Sequence, residues 1–330
     1  MTPLQSVIIP TFNRRDMLAE TIASVLRQSQ TSLEVIVVDD CSTDGTEEYV
    51  MGIEDERVRY FRNEKNSGSE RSREYGLKQA RGRYITFIDD DDYYTDDEFF
   101  AKALKVFADN EGLSIVCADG EILDTEAGTT TPHYPGEPGL VNGTEYVLKQ
   151  EREYIKPTSL FPAVFDGGIM RSCWPDDMRM FDTETYLWMA LHGNVYVMPD
   201  IVGVYRLHPN SNTKGRARSS EWMTKRMKNL ASRVEIDREI WRRLCVRANR
   251  RAASRWYMKM MELQIRFFKD NARGMHDGFE IYRTVMRESR YMPELLLMMP
   301  YFVLKFEVRQ IKFLFNLYMS LKRYRSKLAR

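Results

Sequence analysis

The chain has few cysteines, no long apolar run and no glycine-rich nucleotide fingerprint, and each shortage argues against a class of protein. Cys41, Cys117, Cys173 and Cys245 are spread over 330 residues with no CxxC pair. Such spacing speaks against a disulfide framework or a thiolate zinc site and points to a reducing compartment. No apolar stretch reaches the ~18–20 residues that span a bilayer. The first apolar run begins almost at the N-terminus, so no signal peptide is expected. Neither GxGxxG nor GxxxxGKS/T occurs, which leaves out the dinucleotide fingerprint and the P-loop. Internal repeats and low-complexity tracts are also missing.

What is present suits a globular protein of one large or two modest domains, with 43% hydrophobic and 29% charged residues. The net charge of +1 hides a division. Residues 1–200 hold 19 Lys and Arg against 37 Asp and Glu, a net −18; residues 201–330 hold 30 against 11, a net +19. An acidic front and a basic back imply two parts with different jobs, placed at 1–215 and 216–330.

The front alternates strand and helix. Ser6–Pro10, Leu33–Val38, Val58–Phe61 and Tyr84–Ile88 read as strands, apolar and β-branched or aromatic. Helices are expected at 16–28, from Thr46 to Met51 with Thr43 or Asp44 as N-cap, and from Glu70 to Ala80. A helix from Glu98 to Asn110 follows, then a strand from Leu113 to Ala118, a hairpin or loop over 119–142, and a helix from Gly143 to Glu151. This alternation predicts an α/β fold with a mixed, mostly parallel sheet and helices on both faces, followed by a C-terminal α-helical region.

Three of these strands end in polar clusters: Thr11 and Asn13, Asp39 and Asp40, and the run Asp89, Asp90, Asp91 and Asp92. In an open parallel sheet the C-terminal strand ends share one edge, where ligands bind. Four adjacent carboxylates repel one another, and a cation is their simplest partner. Hard divalent ions such as Mn2+ and Mg2+ take carboxylate oxygens and commonly bridge them to phosphates. The plain alternative is a solvated acidic turn.

The segments SVIIPTFNR, VVDDCSTDGT, NSGSERSREYGLKQARGRYITFIDDDD and FDTETYLWMALHG resemble the motif series of the family 2, GT-A-fold, inverting glycosyltransferases of bacterial cell-surface polysaccharide synthesis. The resemblance covers about residues 4–212. It implies hexosyl transfer from a UDP-sugar, with Mn2+ or Mg2+, to a hydroxyl of a glycan or lipid-linked glycan. It also implies roles for particular residues. Pro10, Thr11 and Asp40 would hold nucleobase and ribose. Arg73 would meet phosphate or base; Arg71, two residues away, could do the same but reads first as an ordinary exposed helix arginine. Asp89 and Asp91 match the family's DxD, Asp91 as metal ligand and Asp89 facing sugar or ribose, with Asp90 also on the donor. Counting back from Ala190–Gly193 makes Asp182 the catalytic base; counting back from Leu187 and Trp188 favours Glu184. Phe181 beside Asp182, where the family more often has Glu, would make the site drier and raise the carboxyl's pKa. Arg206 would reach phosphates, and His208 metal or diphosphate. Gly167 and Gly168 permit close backbone approach, by a sugar or by a tight turn.

The basic back reads as helical over 220–270, with helices resuming near 279–290. Beyond Pro293 an amphipathic, Lys- and Arg-rich segment suits an anionic membrane surface, its own domain or a homo-oligomer. A lipid-linked acceptor would place the protein in the cytoplasm at the inner membrane face. No nucleic-acid motif is present. Two rival readings are a nucleotidyltransferase of similar fold, disfavoured by TFNRRD after the first strand, and a non-catalytic glycan-binding or scaffolding subunit.

Overall fold

The computed structural model describes residues 3–133, 136–150, 154, 156–176, 178–209, 211 and 220–271. The expected helix at 279–290 and the amphipathic segment beyond Pro293 lie outside the described residues.

The first half is built as the apolar runs require. Strands β1 (Gln5–Thr11), β2 (Leu33–Asp39), β3 (Val58–Arg62) and β4 (Tyr84–Phe87) are connected by α1 (Arg15–Leu26), α2 (Thr46–Met51) and α3 (Ser69–Gln79). β1 lies between β2 and β4, parallel to both, and β2 pairs in parallel with β3. Alternate residues of these strands enter two cores. Ile8, Ile36, Val38, Ile85 and Phe87 face one apolar layer; Val7, Ile9, Val35 and Val37 face the other. Burial on both faces is why the strands read as unbroken apolar runs. The cap of α2 is Gly45, at φ +83°, rather than Thr43 or Asp44; the Asp44 carboxylate still accepts from the Thr46 amide.

The second half mixes directions. After the short β5 (Tyr93–Tyr94) and α4 (Phe99–Asp109) comes β6 (Leu113–Asp124), which turns back into β7 (Thr129–Pro132) as a hairpin. β8 (Gly139–Val141), α5 (Gly143–Lys149), β9 (Ala163–Asp166), α6 (Gly167–Cys173), α7 (Asp182–Ala190) and β10 (Asn194–Leu207) complete the sheet. Its order is β3-β2-β1-β4-β9-β6-β10-β5, with β7 on β6 and β8 on β10. β9 runs antiparallel between β4 and β6, while β10 runs parallel to β6.

Gly167 and Gly168 open α6 rather than a sugar-facing wall or a free turn. A Cβ on Gly167 would lie 2.6 Å from the Arg83 carbonyl oxygen, so the close approach is to the neighbouring β4 chain. Helices α8 (Ser220–Arg247) and α9 (Arg250–Asn271) form an antiparallel pair broken at Ala248 and Asn249, where Asn249 Oδ1 accepts from the Ala252 amide. Val234, Ile240, Leu244, Ala253 and Tyr257 from this pair join the same apolar layer as Ile8 and Phe87.

Candidate active site

Parallel register decides what meets at the sheet edge. Ile8 is opposite Phe87, and Thr11 is opposite Asp39. Continuing the first ladder by three residues sets Thr11 beside Asp90. Thr11 Oγ1 donates to Asp90 Oδ2 at 2.8 Å, and the Phe12 amide donates to the same oxygen at 3.2 Å. Arg14, just past β1, spans Asp90 Oδ1 at 2.7 Å and Asp91 Oδ2 at 2.8 Å. Asp90 therefore ties two strand ends together. Burial pushes its carboxyl up to about 6 against the pull of Arg14.

Asp89 and Asp91 point to different neighbours. Asp89 Oδ1 accepts from Arg73 Nη2 at 2.6 Å, and Asp91 Oδ2 lies 3.0 Å from His208 Nε2. Burial works to raise Asp91, but His208 and Arg14 outweigh it and hold this carboxyl below the usual range. Asp89 is raised, first by burial and then by the charges of Asp182 and Asp91, despite Arg73. Asp92 is fully buried; its oxygens accept from the Arg206 amide at 3.0 Å and from Ser159 Oγ at 3.3 Å. Burial and the neighbouring carboxylates Asp91 and Asp89 push Asp92 well above the ordinary value.

Arg73 connects this run to a distant segment. It is almost completely buried, and its Nη1 donates to Asp182 Oδ1 at 3.0 Å and to the Met180 carbonyl at 3.1 Å. Burial alone would lower the guanidinium pKa, yet Asp89 and Asp182 outweigh it and raise it, so the cation persists. Asp182 is the first residue of α7 and keeps 31% of its side chain exposed. Phe181, the N-cap residue, turns its ring inward beneath Arg233. The partner of the Asp182 carboxylate is thus a cation. Glu184 is fully buried and paired with Arg233 Nη1 at 3.1 Å.

The remaining expected residues are organised differently. Asp40 Oδ1 accepts from Asn63 Nδ2 and the Ser67 amide, and Oδ2 from the Gly68 amide, all within 2.9 Å. It shapes the loop leading into α3. Pro10 is buried inside β1, opposite Val38. Arg71 pairs with Glu74 at 2.6 Å, one turn along α3, as a helix-surface residue would. Arg206 reaches the acidic run through its backbone amide. Its guanidinium lies over the Tyr93 ring and pairs with Glu20 of α1 at 2.8 Å, and its charge also favours the ionised form of Asp92.

Asp89, Asp91 and Asp92 each offer an oxygen within 4.8 Å of the others, the only such group among the described residues. Three carboxylates clustered so closely, with Asp89 and Asp92 raised in part by the charge of Asp91, suit a hard divalent cation. His208 touches this group through Asp91. Sequence reasoning missed Arg14 and gave Asp92, a member of the acidic run, no role of its own. The TFNRRD segment carried the signal for Arg14: a base at the end of the strand that neighbours the acidic one.

The model of the family described as glycosyl transferase family 2 matches residues 6–171, half of the chain. The chain belongs to glycosyl transferase family 2. Among family relatives, the GalNAc(5)-diNAcBac-PP-undecaprenol beta-1,3-glucosyltransferase of Campylobacter jejuni is 32% identical over 195 residues, 58% of this chain and 60% of that protein. The matches span between 13% and 60% of the length of the curated relatives. Two solved structures share the fold of this family 2 chain. S. aureus TarS 1-349, in complex with UDP-GlcNAc, has a TM-score of 0.64 at 17% identity, covering 85% of this chain and 79% of that one. The mannosyltransferase PcManGT from Pyrobaculum calidifontis, in complex with GDP-Man and Mn2+, has a TM-score of 0.51 at 17% identity, covering 94% and 88%.

Proposed function

We propose that this family 2 chain is an inverting, metal-dependent glycosyltransferase that moves a sugar from a UDP-sugar to a hydroxyl of a glycan or lipid-linked glycan. The observation that carries the reading is Arg73, whose two terminal nitrogens hold Asp89 and Asp182 side by side. A donor-side carboxylate and a partly exposed carboxylate at the start of a helix are thereby fixed on one crevice. Asp182 takes the proton from the acceptor hydroxyl as its oxygen attacks the anomeric carbon, and the bond to the UDP oxygen breaks on the opposite side. One displacement inverts the centre. Such proton transfer contributes ~10²–10⁴-fold in rate. Asp89, Asp91 and Asp92, with His208 beside them, would hold a divalent ion, which would supply positive charge against the departing diphosphate. Asp40, Pro10 and Thr11 form the floor at the nucleoside end.

The name of the C. jejuni relative, which describes an undecaprenol-linked acceptor, and the UDP-GlcNAc in the TarS complex favour a lipid-linked acceptor and a UDP donor. No helix among the described residues is long and apolar enough to cross a membrane. The basic C-terminal region instead meets an anionic inner membrane face, where such acceptors reside. Sedimentation with anionic vesicles that weakens as salt rises is the expected result.

The test is a panel of UDP-sugars with Mn2+, read as UDP release and as the mass of the acceptor product. Asp91→Ala is expected to abolish the manganese dependence of UDP binding in calorimetry. Turnover of no donor, or UDP affinity indifferent to manganese in the unaltered protein, would overturn the reading.

A further inference from the structure

The segment carrying Asp182 is gripped from two sides. From α3, Arg73 holds the Met180 carbonyl and the Asp182 carboxylate. From α8, Arg233 pairs with Glu184 at 3.1 Å and lays its guanidinium 4.4 Å from the centre of the Phe181 ring. Phe181 and Glu184 lie on either side of Asp182 in the chain. One turn earlier on α8, Asn229 accepts from Arg179 at 2.5 Å and donates to Glu70 of α3 at 3.4 Å. Residues 229 and 233 are four apart, so they present one face of α8.

We infer that α8 is a positioning element of the reaction centre, with Arg233 holding the first turn of α7 so that Asp182 stays on Arg73. The inference rests on the proposed role of Asp182 as base. The physical reason is the burial of Glu184. A fully buried carboxylate requires a paired cation. Arg233 of α8 supplies a cation to Glu184, and the same guanidinium caps the aromatic ring that precedes the base. Planar stacking and directed N–H groups suit arginine and not lysine. The helix end adds to this, since carboxylates at 182 and 184 complement the positive end of the α7 dipole. Glu184, the other carboxylate that the motif spacing allowed as base, becomes the anchor of the base instead.

Four full-length proteins test this: the unaltered chain, Arg233→Ala, Arg233→Lys, and Arg233→Met combined with Glu184→Gln. The first readout needs no turnover. Hydrogen exchange at the amides of residues 183–187 is expected to accelerate at least tenfold in Arg233→Ala, while amides of α3 keep their protection. Unchanged exchange there overturns the inference. The second readout is kinetic. Displacement of a reacting group by ~1 Å can cost ~10²-fold, so kcat should fall ~10–100-fold with donor KM within about threefold. Arg233→Lys should recover part of kcat. The double variant removes both charges, which often leaves stability intact; its melting temperature should return towards that of the unaltered chain while kcat stays low. Recovery of kcat together with melting temperature would make Arg233 a purely structural residue and overturn the inference. If the unaltered chain transfers no sugar, the proposed function fails, and the exchange result still decides whether α8 holds α7.

Discussion

Arg73 reaches a side chain 109 positions away, and nothing in its own neighbourhood of the chain announces that reach. Its placement in the family's motif marked it for phosphate or base; its actual partners are two carboxylates. Residue chemistry was legible where a side chain's type alone set its role, as in the aspartate run after β4. It was not legible where direction mattered. Arg206 has its backbone in the site and its guanidinium on Glu20. Asp182 ranked above Glu184 on the family match, while spacing allowed both, because the α8 arginine that pairs with Glu184 lies 49 residues further on. The ranking now has a direct test. Asp182→Asn keeps the shape and the contact with Arg73 but removes the basic oxygen. Turnover should drop ~10²–10⁴-fold with UDP affinity by calorimetry unchanged; Glu184→Gln should lose less, chiefly through altered exchange in α7.

At the scale of elements, β1, β2 and β4 stood out in the sequence because two-sided burial gives them apolar runs, whereas the edge strand β3, half-buried and carrying Arg59 and Arg62, was marked by its aromatic and β-branched residues. The second half was harder. β6 continues past Ala118 to Asp124, and polar residues in its outer half disguise a strand that pairs with β7 and β10. Helix α5 shows how tightly these pieces fit. A Cβ on Gly143 would collide with the carbonyl oxygens of Ala190 and Gly193, at the end of α7. Both atoms are backbone, so neither can swing aside. Gly143→Ala should therefore cost about 1–3 kcal/mol or more, read as an earlier midpoint in urea. It should also loosen α7, so kcat should fall more than donor affinity.

Across the whole molecule the charge division takes on a structural meaning. The acidic front places the run Asp89–Asp92 at the sheet edge, and arginines of the basic back reach over to α7. Arg243 stacks over the Trp188 ring and donates to His192 Nε2 at 2.8 Å, while His192 Nδ1 faces the Trp188 carbonyl. Burial, with Arg243 and Arg247 adding to it, lowers His192 below its ordinary 6.5. The sign follows directly. The unfolded chain binds the proton more readily, so the contribution of neutral His192 is complete above about 6.5 and is lost as pH falls through the lower folded value. The melting temperature should decline between pH 7 and 5, and His192→Gln should flatten part of that decline in calorimetric scans at several pH values.

The long span between Arg73 and Asp182 also sets an order of events. β1, β2 and β4, with the loops that follow them, close over fewer than a hundred residues, whereas the arginine bridge must wait for a loop of 109 to shut. Distant closures are entropically slower. On dilution from denaturant, metal-independent contact with the nucleoside at Pro10, Thr11 and Asp40 should return before turnover, because both the arginine bridge and His208, 117 residues from Asp91, wait for the second half. Simultaneous recovery of the two would mean that the arginine bridge forms with the nucleotide half rather than after it.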